Sequence, residues 1–118
     1  MEKLVLYQVE KEEAEKIRRI AVRLRLQTER IGKAQAGLTL KELATGRGAF
    51  AVEDADAMQS LLLICNLPEK RLDKLLFELR RENVRVTYKA ILTKNNENWT
   101  VGKLLAELSR EKAAYENR

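Results

Sequence analysis

The chain of 118 residues contains no histidine, one cysteine and one proline, and only 5% of it is aromatic. Without histidine, the usual general base and the commonest metal ligand are missing, which excludes Ser-His-Asp, Cys-His and histidine-zinc centres. A lone cysteine forms no intrachain disulfide. Cys65 sits in the apolar run 61–67, where it reads as a small buried hydrophobe in a reducing compartment. With five glycines and 45% hydrophobic residues, the sequence describes an ordered globule despite 35% charged residues. No apolar stretch approaches the roughly 20 residues of a membrane helix, and the first residues show no leader pattern. The expected location is therefore the cytoplasm, with no membrane contact.

What is present begins with charge: a net +5 and a pI of about 9.5. The segment 16–33 holds Lys16, Arg18, Arg19, Arg23, Arg25, Arg30 and Lys33 against Glu29 alone, and a second basic run spans 80–94. Both runs straddle an expected helix end, where cations offset the negative end of the helix dipole. The functional alternative is a nucleic-acid or other polyanion site on Arg19, Arg23, Arg25, Arg80, Arg81 and Arg85.

Residues 4–9 read as a strand, and 10–25 as a helix with Ala14, Ile17, Ile20, Ala21 and Leu24 on its buried face. A short second strand at 26–31 follows. Thr39 and Glu42 form a capping-box pattern that opens a short helix through Ala44. After a linker the pattern restarts: strand 60–67, a helix beginning near Pro68 with the stripe Leu72, Leu75, Leu76 and Leu79, and an alternating strand at 84–93. In that strand Val84, Val86, Tyr88 and Ala90 are expected on one face, and Arg85, Thr87, Lys89 and Ile91 on the other. A closing helix carries Val101, Leu104, Leu105, Leu108 and Tyr115. Phe77 falls opposite its helix's stripe and is expected to be exposed in a minimal monomer or else covered, by the closing helix or a second subunit.

The expectation is a single domain over 1–118, made of pseudo-repeat halves 1–46 and 60–118 joined by a linker at 47–59. Leu38-Thr39-Leu40-Lys41-Glu42-Leu43 aligns with Trp99-Thr100-Val101-Gly102-Lys103-Leu104. The fold class is α/β (α+β): two βαβα halves share one four-stranded sheet, with the apolar first and third strands central, in a ferredoxin-like arrangement. An all-parallel sheet is the alternative. It would gather both basic runs at one end, whereas antiparallel halves separate them.

The stretch Lys89-Ala90-Ile91-Leu92-Thr93, the Asn-containing loop, Asn98-Trp99-Thr100 and then Leu104, Leu105, Glu107 and Leu108 resembles the signature of a bacterial family catalogued as domain of unknown function 3783. The resemblance covers roughly residues 61–112, and the family name implies no activity. This loop joins a strand's carboxyl end to a helix start, a place that favours anions. Lys89, Thr93, Asn96, Asn98, Thr100 and Lys103, beside the Trp99 ring, are the candidate ligand-binding residues. The competing reading makes Asn98 or Thr100 a cap, the asparagines turn formers, and Trp99 a core anchor.

Catalysis has no recognisable motif, and no cofactor or metal is expected. Glu53, Asp54 and Asp56 lack the calcium-loop pattern. The segment from Leu38 opens like a helix-turn-helix, but Gly46-Arg47-Gly48 replaces the recognition helix, and as a phosphate nest that tripeptide is weak. The strand 60–67 has no aromatic on which RNA bases would stack. The expected function is a non-catalytic ligand-binding or protein-interaction module, partnered by another protein or by a second copy of itself.

Overall fold

The computed structural model describes residues 2–46 and 59–116, with side chains through residue 113. The elements are β1 (Lys3–Tyr7), α1 (Lys11–Leu24), β2 (Gln27–Ile31), a 3-10 turn (Lys33–Gln35), α2 (Leu40–Thr45), β3 (Leu61–Cys65), α3 (Glu69–Arg81), β4 (Tyr88–Ile91) and α4 (Val101–Glu116). Every residue of β1 and β3 is buried, as a strand between two helical layers must be. Side chains alternate between two cores. Leu4, Leu6, Leu62 and Ile64 meet Ile17 and Ile20 of α1 and Leu75 and Leu79 of α3. On the other face Val5, Tyr7, Leu61, Leu63 and Cys65 meet Leu40 and Leu43 of α2 and Val101 and Leu104 of α4.

The sheet order is β2-β1-β3-β4, so the two most apolar strands are central. Pairing is parallel within each half, β1 with β2 and β3 with β4, and antiparallel between β1 and β3. The antiparallel centre overturns the all-parallel alternative. The ferredoxin-like order is not confirmed either: that fold splits each strand-helix-strand unit with a strand of the other, whereas here each unit keeps its strands adjacent.

The last strand is shorter than its alternation implies, and its faces do not run through. Val84 and Val86 pack into the α1/α3 core, while Tyr88 and Ala90 pack into the α2/α4 core. The change of face occurs at the bend on Thr87, whose N–H donates to Ser60 Oγ at 2.8 Å. A one-residue change of phase moves every later side chain to the opposite face.

The halves correspond in detail. Left-handed backbone occurs at Gln8 and Asn66 after the first strand of each half, and at Arg25 and Asn83 after the long helix. Leu26 N–H bonds to Ala21 O at 2.8 Å, and Val84 N–H to Leu79 O at 2.9 Å. Across the halves, Thr39 and Thr100 form an isolated antiparallel bridge. Leu40 N–H donates to Trp99 O at 2.9 Å and Val101 N–H to Leu38 O at 3.2 Å.

One charged group is central to the first half. Lys3 is buried, and its Nζ donates to Glu29 Oε1 at 3.2 Å, Leu43 O at 2.7 Å and Gly46 O at 3.1 Å. All three ammonium protons are thereby used, tying β1 to β2 and to the end of α2.

Arg25 holds φ 58° as the α1 C-cap. It is exposed, and its side chain has no partner among the described residues. A left-handed L-residue is strained by about 1–2 kcal/mol, part of which glycine recovers after its unfolded-state entropy is counted. Arg25→Gly is expected to raise stability by about 0.5–1 kcal/mol, read as a higher urea midpoint with an unchanged slope.

Candidate functional site

The seven loop residues singled out by sequence do not form one cluster. Asn96 builds the turn: its Oδ1 accepts from Thr93 N–H at 2.8 Å, its N–H donates to Thr93 Oγ1 at 3.2 Å, and its Nδ2 donates to Ile91 O at 3.0 Å. Thr100 caps α4, with Oγ1 accepting Lys103 N–H at 3.1 Å. Trp99 is half-buried against the α2/α4 core, and Lys103 Nζ lies 4.9 Å from its ring centroid. Asn98 is exposed. Lys89 pairs in register with Leu62 and so faces the α1/α3 side of the sheet, away from Trp99 and Lys103.

The helix starts are already hydrogen-bonded. Gly102 N–H donates to Ala36 O at 3.1 Å and Lys41 N–H to Glu97 O at 2.8 Å, while Glu42 N–H donates to Thr39 Oγ1 at 3.1 Å. With the Leu40, Val101 and Lys103 amides also engaged, the first turns of α2 and α4 offer no free amide cradle for a phosphate. The Thr39 N–H and hydroxyl hold the Glu42 carboxyl below its usual range.

The turn at 93–96 has a counterpart that sequence reasoning missed. Gly32 N–H donates to Gln35 Oε1 at 2.8 Å, and Leu38 N–H to Gln35 O at 3.1 Å, as Trp99 N–H does to Asn96 O at 2.9 Å. The signal was present: extending the alignment of Leu38 with Trp99 upstream sets Lys33 opposite Lys94. The crossing backbone bonds bring both turns against the opposite helix start. Exposed Lys33, Lys41, Lys94 and Lys103 lie on the segments that these bonds join, and none has an ion-pair partner among the described residues.

The arginine runs are partly consumed internally. Arg23 reaches Glu78 at 3.1 Å and Glu82 at 3.4 Å across the α1–α3 seam, and Arg81 reaches Glu78 at 2.8 Å within α3, so two of the six candidate arginines are held in ion pairs. Arg19, Arg25, Arg80 and Arg85 remain exposed without an ion pair among the described residues. Phe77 is 56% exposed. Because α4 packs on the other face of the sheet, the closing helix does not cover it.

An open groove of about 620 Å³ lies between the start of α1 and the segment leading to β4, lined among others by Glu10, Glu12, Glu13, Lys16, Ser60 and Arg85. Glu13 is buried there. Burial opposes its ionisation, but the Arg85 N–H at 2.6 Å and Lys16 at 3.0 Å outweigh that and hold its carboxyl below the ordinary value of 4.5. Burial pushes the Cys65 thiol up to about 11, against the pull of the Lys3 ammonium. That thiol is not a nucleophile at neutral pH. No group of three or more Cys, Asp or Glu side chains among the described residues is placed to hold a metal, and no described helix is long and apolar enough to cross a membrane. The acidic residues 53, 54 and 56, the tripeptide at 46–48 beyond Gly46, and the Tyr115 side chain lie outside the described residues.

Fold and site together define a mixed-sheet α/β protein of two similar units, with no catalytic constellation assembled among its described residues. Residues 60–115, the second of the two units, match the family model described as Domain of unknown function (DUF3783). No curated protein and no solved structure matches it.

Two outcomes follow from the buried groups. A carboxyl with a depressed folded pKa contributes stability above its unfolded pKa and loses it as pH falls through the folded value. Glu13→Gln should therefore lower stability at pH 7 and flatten its decline on acidification below about pH 4.5, measured by urea titrations from pH 7 to 3. Cys65 should resist iodoacetamide at pH 8 in the folded protein and react on unfolding. Fast native labelling would place it nearer the surface.

Proposed function

We propose that the chain is a non-catalytic interaction module of the cytosol that binds an acidic segment of a partner protein across the joint of α2 and α4. The observation that carries this reading is the set Lys33, Lys41, Lys94 and Lys103, four exposed ammonium groups without carboxylate partners among the described residues, the last of them over the half-exposed Trp99. An acidic peptide suits this face better than a nucleic acid. Lys103 lies over the lone tryptophan ring, which removes it as a base-stacking platform, and the intervening Glu42 and Glu97 dilute a phosphate-tracking field. Asn98 and Asn95 are exposed on the same loop and supply hydrogen bonds to a peptide backbone.

The test is an NMR titration of the labelled protein with a glutamate-rich peptide and, separately, a short DNA duplex. The expected result is peptide-induced shifts over residues 33–41 and 94–103, weakened roughly tenfold or more in K33E/K41E/K94E/K103E and unaffected by R19E/R80E. Shifts that follow Arg19, Arg25, Arg80 and Arg85 with DNA, and vanish with salt, would replace this reading with the polyanion one.

A further inference from the structure

We infer that residues 2–46 are a divergent second copy of the unit that the family match marks at residues 60–115, and that the unit's inner face is a docking surface for another copy of itself. The family match stops at residue 60, yet the geometry of the first half repeats that of the second. The left-handed pairs Gln8 and Asn66, and Arg25 and Asn83, share one spacing of 58 residues. Past the bend at Thr87 the spacing becomes 61, as shown by the turn bonds Gly32–Gln35 and Thr93–Asn96. The difference is the three extra residues that lie between Val84 and Tyr88.

The contacts between the halves come in reciprocal pairs. In the central strand pairing Lys3 faces Cys65 and Tyr7 faces Leu61, with Val5 facing Leu63 at the midpoint. A 58-residue shift turns the first of these pairs into the second and maps the last onto itself. Leu40 N–H to Trp99 O is matched by Val101 N–H to Leu38 O, and Lys41 N–H to Glu97 O by Gly102 N–H to Ala36 O. Reciprocity of this kind defines an isologous, two-fold interface. Two unrelated strand-helix-strand-helix segments have no reason to share it. A unit alone would leave the inner edge of β3 and the apolar side chains beside it without a partner.

The copies differ where they grip each other. Glu13, in the first turn of α1, accepts Arg85 N–H beyond the end of α3. Arg71, in the equivalent place on α3, donates to Leu24 O at the end of α1 and pairs with Glu2. The same position thus clamps the opposite half with opposite charge. Its local groove is closed as well: the seam lined by Leu24, Leu26, Leu67, Arg71 and Lys74 encloses about 10 Å³, against about 620 Å³ at the Glu13 seam.

Two rearranged chains test this. In a circular permutant, residues 59–116 come first, 47–58 serve as connector, and 2–46 follow. It is expected to fold as a monomer with the Val5–Leu63 cross-strand amide contacts intact by NMR. In a tandem chain, residues 60–116 appear twice around the same connector, with and without Arg71→Glu in the first copy, which restores the charge found at Glu13. At least one tandem version is expected to fold as a monomer whose two β3 strands pair antiparallel. A permutant that does not fold, or tandem chains that both fail to fold or pair through another edge, overturn the inference.

Discussion

Everything in this molecule depends on the antiparallel pairing of β1 with β3. Each half alone is a strand-helix-strand unit whose first strand has one edge covered by its own parallel partner and one edge open. Joining the open edges satisfies both rows of backbone groups at once and produces a four-stranded sheet with both faces apolar at the centre. The helices then have no choice of side. Because β1 and β3 contribute alternate residues to each face, α1 and α3 must share one core and α2 and α4 the other. The two layers are closed by different means. Side-chain clamps from Glu13 and Arg71 reach across the α1–α3 layer, whereas backbone bonds at the helix starts lock the α2–α4 layer.

That lock has a chemical consequence for the loop after β4. Free amides at a helix start invite anions, but here each first turn is satisfied by the other half's backbone or by a threonine cap. A structure that spends its helix-start donors on holding two units together leaves recognition to side chains. Among those side chains, Arg23 and Arg81 are held by Glu78 and Glu82, whereas Lys33, Lys41, Lys94 and Lys103 have no ion pair among the described residues. A surface arginine in such a network is constrained in geometry, while unpaired lysines keep their charge available at the cost of greater mobility.

Element order was legible from the chain alone because apolar periodicity reports it directly: the stripes on α1 and α3, the uninterrupted apolar runs of β1 and β3, and the Thr39–Glu42 capping box all appear in the structure. The sheet's strand directions were not, because hydrophobicity orders strands from centre to edge and says nothing of parallel against antiparallel. The faces of 84–91 were misread for a different reason. Strict alternation through Val84, Val86, Tyr88 and Ala90 looks like one continuous strand, and only the tertiary bond between Thr87 and Ser60 reveals that the phase changes midway. Lys3 was equally illegible: a lysine in an apolar strand reads as a frayed first residue until its three acceptors, one a side chain and two carbonyls of a distant helix end, are in place.

The loop residues show where pattern reading stops. Asn96 and Thr100 were recognisable as residues able either to bind or to build, and both roles need the same chemistry, a short side chain with a hydrogen-bonding oxygen. What separates the roles is whether that oxygen is already spoken for, and in both residues it is. The counterpart turn at Gly32–Gln35 makes the same point independently, since a different residue pair performs the same bond at the corresponding place. Residues that do the same job in both halves belong to the scaffold. Trp99 and Leu38, at corresponding places, both pack against the α2/α4 core and share that duty, whereas exposed Lys103 stands where Glu42 completes the Thr39 capping box, so the second half keeps the threonine cap without the carboxylate.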